Sequence, residues 1–523
     1  MNGYENTPIR KTLKYPAADY TVMFIARFFY ALLTSVELYY FAAFLTDTAA
    51  FSLAVTAALL IITTAADMIL TGFYHSIMER IGRHLPWGMT RSWLIIAPPA
   101  ATASFALAFS GMGSGGIVSA LIVLVGFIIS HIAWSVGEQA MNAQVQLMTD
   151  EAHQRRQLSA NISRGTWAST LAFGYAGAAF LFLMPGDRFV FVWMIAAFGL
   201  LYWIGYILLF WRSYGSEPDR AAYEAEEQRI SAFRRLSRRN ITLTEAYRGM
   251  LKDHRGHTVL VIIFVSYCVE FITCGLMYYF FKYSLDALEM MPLNMTLRAA
   301  FTLAGYVFFM PLLLGVCRGS KRRALIWMQI VAVALPLVCF HPAVRTHVWM
   351  IIWISAFQAF FTGSGIYMNL SVLSDVCTAV THQTGKDFVS HQDSLVMFPV
   401  KAALVLRSVI IVLVLWLSGY SAGTAVTGRQ ITGFAAGYLV AAALLNIIPL
   451  VGWIIYRLPE REVRQMAEEN HRDETADLEY VEKALAKEAS GGSAEKPPAE
   501  KAPGGSAEKY SAEGALSGDD EQS

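Results

Sequence analysis

The chain has 523 residues, of which 55% are hydrophobic and only 15% charged. A soluble protein of this size needs more charge to cover its surface, so the apolar excess must face something other than water. A formal net charge of +1 excludes the basic balance that nucleic-acid binding demands. Five scattered cysteines (Cys268, Cys274, Cys317, Cys339 and Cys377) show neither metal nor disulfide spacing and read as small buried residues.

Residues 1–20 are polar and lack the apolar core of a cleavable signal peptide. Apolar blocks then follow near 21–45, 51–77, 92–112, 117–146, 164–184 and 188–211. Each is long enough for a helix to cross about 30 Å of hydrocarbon. A polar stretch, 212–257, separates them from six more near 258–283, 293–316, 324–341, 347–373, 394–418 and 431–456. The expected organisation is an N-terminal six-helix bundle (1–211), a central loop (212–257), a C-terminal six-helix bundle (258–456) and a disordered tail (457–523). Within the tail, 485–523 is a near repeat of Gly, Ser, Ala, Glu, Lys and Pro that cannot bury enough apolar surface to offset its ordering entropy. The Asn-x-Ser/Thr sequons at Asn161, Asn240, Asn294 and Asn369 fall in spans or mostly on the expected cytoplasmic side and read as chance.

Lys and Arg gather on alternate loops. One side holds Arg10, Lys11 and Lys14; Arg80, Arg83 and Arg91; Arg155, Arg156 and Arg164; Arg234, Arg235, Arg238 and Arg239; Arg318, Lys321, Arg322 and Arg323; and Arg457 and Arg461. The opposite side has chiefly Arg188, Arg345 and Arg429. This bias puts both termini and the central loop in the cytoplasm of a multi-pass protein of the inner (plasma) membrane.

After the second block comes Glu79-Arg80-Ile81-Gly82-Arg83, similar to the D-R-x-G-R loop signature of the major facilitator superfamily. An acid at a helix end can pair with arginines beside a neighbouring helix and form a breakable cytoplasmic latch, while Gly82 allows a tight turn. Arg318-Gly319-Ser320-Lys321-Arg322-Arg323 occupies the matching place in the second half. His75 stands where the signature usually has Gly, which predicts looser helix packing there.

A narrower resemblance covers nearly the whole folded part. Thr46-Asp47, Asp67, Thr149-Asp150 with Leu158-Ser159-Ala160, Tyr279-Phe280-Phe281-Lys282-Tyr283, and Leu373-Ser374-Asp375-Val376 with Thr384-Gly385-Lys386 and Lys401 follow one another in order. This series resembles the glycoside–pentoside–hexuronide:cation symporter family. The resemblance implies an all-α membrane protein of the major facilitator fold, with twelve transmembrane helices in two six-helix bundles. It further implies cation-coupled transport by alternating access.

Charges inside spans are the strongest functional pointers, because burying one in hydrocarbon is costly unless it is paired or lines a cavity. By resemblance, Asp67 belongs to a cation site with Thr71 and Ser135, although Thr71 stands where the family has a second acid. One acid with two hydroxyls is a poorer oxygen cage for Na⁺ than two acids, and a lone buried carboxylate is a natural proton carrier. Glu138 falls where the family hydrogen-bonds sugar hydroxyls, and Lys401 where a lysine links cation and substrate regions; Lys401 could pair with Asp67 or Glu138. Arg164 lies within a residue or two of a family arginine that contacts substrate. The family's second sugar-binding acid falls on Ala31, with Glu37 and Asp19 the nearest acids. Its aromatic platforms fall on Asn142 and Ile366; Trp134 is a candidate replacement. Asp375 is expected to join arginines of the 150–164 segment in a second cytoplasmic gate beside Glu79, Arg80, Gly82 and Arg83. Glu270 has no role the resemblance assigns.

Three function classes fit. They are a cation-coupled symporter of a small polar, sugar-like solute, a lysolipid or amphiphile transporter on the same fold, and a non-transporting sensor. No nucleophile or metal constellation in the spans suggests an enzyme. The expected partners are the solute, the bilayer and H⁺ or Na⁺ as coupling ion, with no further cofactor and the protein acting as a monomer.

Overall fold

A computed structural model of the protein describes residues 12–112, 116–184, 187, 189–216, 231, 236–237, 239–363, 365–420 and 426–489. Arg10, Lys11, Arg188, Arg234, Arg235, Arg238 and the 490–523 part of the tail lie outside them. The described residues contain helices and no strand.

The first half runs α1 (Pro16–Ala43), α2 (Leu53–Leu70), α3 (Tyr74–Gly82), α4 (Arg91–Ala108), α5 (Ile117–Leu147), α6 (Ala152–Leu183) and α7 (Val190–Arg212). Then come α8 (Leu243–Lys252), α9 (His254–Tyr279), α10 (Met291–Ala304), α11 (Met310–Val316), α12 (Lys321–Phe340) and α13 (Val348–Thr362). The chain ends with α14 (Gly365–Thr384), α15 (Gln392–Ser418), α16 (Gly428–Ala435), α17 (Ala441–Ile455) and α18 (Glu460–Ala489).

Among the described residues, eleven helical segments are long and apolar enough to cross a membrane. The twelfth expected span is α4, an 18-residue helix with Pro98 and Pro99 inside it and Arg91 at its start. Helix starts are signalled locally. Pro16 pre-sets the first turn of α1, and the Ser52 hydroxyl accepts from the Val55 amide at the start of α2. Four spans carry π-helical turns, at Phe44–Thr48, Phe280–Ser284, Gly305–Phe309 and Ala436–Val440.

The chain divides into two compact units. The first comprises 1–223, 259–370 and 396–456, so it holds the expected N-terminal half and most of the C-terminal one, without 371–395. Within it α1 packs on α6 and α7, α4 on α5 and α7, α10 on α13, and α12 on α13 and α17. The two halves meet where α6 packs on α10. Helices approach closely where side chains are small: a Cβ on Gly165 of α6 would lie 2.6 Å from the Phe24 carbonyl oxygen of α1. All five cysteines are buried and free of disulfides.

The second unit comprises 224–258, 371–395 and 457–523. It corrects the expectation that the chain is disordered from 457 onward, because 460–489 form α18. Sparse apolar content hides this helix, but Glu, Lys, Arg and Ala are strong helix formers and Val463, Val481 and Ala484 are buried. Polar contacts fasten it. The Asn470 side chain donates to the Thr378 carbonyl at 2.8 Å, Arg239 donates to the Asn470 carbonyl at 2.8 Å, and His382 lies 2.6 Å from Glu469. The central stretch is likewise not all loop: Thr242 and Glu245 cap α8 reciprocally. Gly385, at φ +69°, ends α14 with the left-handed residue a helix stop favours.

Candidate functional site

Three charged clusters lie inside the spans of the first unit. Nearest one end, the Thr46-Asp47 and Tyr279–Tyr283 motifs meet. Asp47 pairs with Lys282 and accepts hydrogen bonds from Tyr283 (2.7 Å) and Tyr420 (2.6 Å). Thr46 bonds the Tyr279 hydroxyl at 2.8 Å. The π turns Phe44–Thr48 and Phe280–Ser284 sit at this junction, where one inserted residue re-aims side chains.

The second cluster surrounds Asp67 on α2, 2% exposed. Lys401 of α15 donates to its Oδ2 at 2.6 Å, and the Tyr74 hydroxyl donates to its Oδ1 at 2.7 Å. His131 of α5 places Nδ1 3.2 Å from Asp67 Oδ1 and Nε2 3.2 Å from Glu37 Oε2 on α1. Arg407, 3% exposed, donates to the Leu38 carbonyl at 2.7 Å on the same stretch of α1. Four elements therefore converge on charges that hydrocarbon could not hold singly.

The third cluster is built on Glu138 of α5. Arg27 of α1 pairs with its Oε1, and the Tyr30 hydroxyl donates to its Oε2 at 2.8 Å. Arg27 is itself held by Thr166 of α6 at 2.9 Å and lies over the Tyr30 ring. The Glu138 side chain keeps 31% of its surface exposed, so it is paired without being sealed.

Of the residues expected to form the site, the structure brings Lys401 to Asp67 and leaves Glu138 with Arg27. Thr71 turns its hydroxyl back to the Asp67 main-chain carbonyl at 2.8 Å, and Ser135 is buried on α5. Arg164 is exposed and donates to Asn161 at 3.4 Å, and Asn142 is exposed. Trp134, 4% exposed, packs between Phe105 and His131 as a core residue. Arg27, His131 and Arg407 were not singled out from sequence, although each is a titratable residue within a span.

The loop residues Glu79 and Arg80 lie on α3, with Arg83 just beyond it. Glu79 lies 3.3 Å from His75, so the unusual histidine meets the acid of the motif. Gly82 is required by close approach, because a Cβ there would overlap the Met89 carbonyl oxygen. In the matching loop, Arg322 donates to the Trp453 carbonyl at 2.9 Å and also to that of Ile454, capping the end of α17. Asp375 belongs to α14, in the second unit.

Comparison with known proteins extends this picture. The family model described as MFS/sugar transport protein matches residues 23–460. No curated protein matches the chain in sequence. Among solved structures, the nucleoside transporter NupG is similar with a TM-score of 0.57 at 12% identity, over 84% of this chain and 100% of that one. A D-xylose-proton symporter is similar with a TM-score of 0.54 at 14% identity, over 83% and 97%. The inward-open xylose transporter XylE from E. coli gives 0.51 at 13% identity, over 82% and 95%. At these identities the likeness shows the fold alone.

Proposed function

The chain belongs to the MFS/sugar transport protein family, and on that premise we propose that it is a cation-coupled symporter of a small polar, sugar-like solute. It is a secondary transporter of the major facilitator fold, with twelve helices in two bundles. The observation that carries the coupling is the buried Asp67–Lys401 pair, which joins α2 of the first half to α15 of the second. A charge pair between halves forms in one arrangement of the bundles and breaks in another, so an ion or solute that competes for it biases the equilibrium.

The solute site is the Glu138–Arg27–Tyr30 cluster. A carboxylate accepts from two hydroxyls and a guanidinium donates to two oxygens, which suits a polyol. Arg27 takes the role expected of Arg164. Asp67 is the coupling carboxylate and H⁺ the coupling ion, because both oxygens of Asp67 already have donors and Thr71 serves the main chain, leaving few ligands for Na⁺. By the distribution of Lys and Arg, both termini face the cytoplasm of the inner membrane, and the Asp47 cluster closes the external end. The test is uptake into proteoliposomes of a labelled panel of pentoses, hexoses, disaccharides and nucleosides, comparing wild type with Glu138→Gln. A solute taken up by wild type and lost in the variant at equal expression supports the reading. Equal uptake by both removes Glu138 from the site.

A further inference from the structure

From the geometry around His131 we infer that Glu37, His131 and Asp67 form one proton-binding site, in which an exchangeable proton is held at the imidazole between two carboxylates. The inference rests on the proposed coupling by H⁺ but moves the proton from Asp67 alone to a three-residue site.

A neutral imidazole carries hydrogen on one nitrogen and a lone pair on the other. His131 sets both nitrogens 3.2 Å from carboxylate oxygens, Nδ1 toward Asp67 and Nε2 toward Glu37. With two bare carboxylates and a neutral ring, two anionic oxygens would lie 3.2 Å from an uncharged imidazole in a buried site. One additional proton offsets part of that charge, whether it resides on the ring or on a carboxyl. Neither nitrogen has an aligned hydrogen-bond partner, and both are fully buried, so charge rather than a fixed hydrogen bond holds the ring.

The surroundings favour the ring over Asp67. Lys401 and Tyr74 already supply donors to both Asp67 oxygens. The other charged group near the site is Arg407 of α15, which donates to the Leu38 carbonyl beside Glu37. On its own helix the ring is stacked on Phe127 at 4.2 Å between centroids and leans on Trp134 at 4.2 Å. These contacts fix the imidazole while leaving its protonation to the two carboxylates, one on α1 and one on α2. Losing the proton thus loosens α1, α2 and α5 from one another, and Lys401 transmits the change to α15. His131 is then the group that loads and unloads, and Lys401 is the counter-charge that carries the change to the second half.

Trp134 provides a readout that needs no solute, because a protonated imidazole in contact with an indole quenches its fluorescence. The experiment titrates purified full-length protein in detergent, without Na⁺, and subtracts the signal of Trp134→Phe to isolate Trp134. A single reversible step is expected in wild type, absent in His131→Gln and displaced in Glu37→Gln. Should His131→Gln fail to fold by circular dichroism, the displacement in Glu37→Gln decides the matter. A folded His131→Gln that keeps the step, or a step at the same pH in Glu37→Gln, overturns the site. Uptake driven by Na⁺ alone would instead overturn the proposed coupling ion, and the fluorescence step would still report the proton site.

Discussion

Lys401 on α15 donates to Asp67 on α2 at 2.6 Å, and the carboxylate it meets is 2% exposed. The pair is a structural tie between the halves and, under the proposed symport, the route by which they are coupled. Removing one partner of a buried pair leaves an uncompensated charge, at a cost of about 3–5 kcal/mol. Lys401→Met should therefore lower thermal stability in detergent, and the double variant Asp67→Asn with Lys401→Met should recover most of the loss. Additive losses in the double variant, read from thermal melts of all four proteins, would show that the two residues are not energetically linked.

Glu138 and Arg27 should behave as a unit in binding. Each is proposed to engage the solute directly, so Glu138→Gln and Arg27→Ala should each weaken affinity by about tenfold or more, corresponding to at least ~1.4 kcal/mol. Arg27→Lys should recover little, because a point charge does not reproduce the two-pronged donor geometry of a guanidinium. Equilibrium binding of the transported solute to each purified variant measures this, and full affinity in Arg27→Lys would count against a forked contact.

Asp47 gathers Lys282, Tyr283 and Tyr420, all from the second half, onto one carboxylate. Asp47→Asn keeps the shape and removes the charge, so this end of the bundle should open more often. Hydrogen exchange should quicken in Phe44–Thr48 and Phe280–Ser284, by about tenfold for each ~1.4 kcal/mol of lost closure. Unchanged exchange in both segments would show that the cluster does not hold the end closed.

In the second unit, α18 is fastened through Asn470 to Thr378 and Arg239. Asn470→Ala removes the side-chain bond to Thr378, and a typical hydrogen bond contributes about 1 kcal/mol. A chain ending at residue 459 should expose residues 371–395 to protease more strongly than Asn470→Ala does. Identical cleavage of the full-length and shortened proteins would mean that α18 lies on the unit without supporting it.

The spans were legible because hydrocarbon imposes a long apolar block on every crossing, but their ends were not: α6 begins at Ala152, ahead of the expected 164, and α2 ends at Leu70, short of the expected 77. Asp67 and Lys401 were legible as charges at depth, and their pairing was one of two partnerships expected. The meeting of Thr46-Asp47 with Tyr279–Tyr283 was not, although both motifs were noticed. That contact joins residues about 235 positions apart and depends on how two helices are rotated about their axes. The same reason hid Arg27 and His131: the rule about charges within spans applied to them, but sequence gave each no partner. Trp134 is a candidate aromatic platform by sequence, but its neighbours Phe105 and His131 make it a packing residue. In α18 the signal was present in the opposite sense, since a composition rich in Glu, Lys and Arg describes a solvated helix as well as a disordered tail.

Solute movement is proposed to be coupled to protons at the Asp67 cluster. This coupling is tested most directly by uptake of the transported solute into proteoliposomes under an imposed pH gradient with Na⁺ absent, compared with a Na⁺ gradient at constant pH, for wild type and Asp67→Asn. Accumulation driven by the pH gradient is expected in wild type, with no added drive from Na⁺ and loss of accumulation in Asp67→Asn. Strict dependence on Na⁺, or full accumulation by Asp67→Asn, would contradict it.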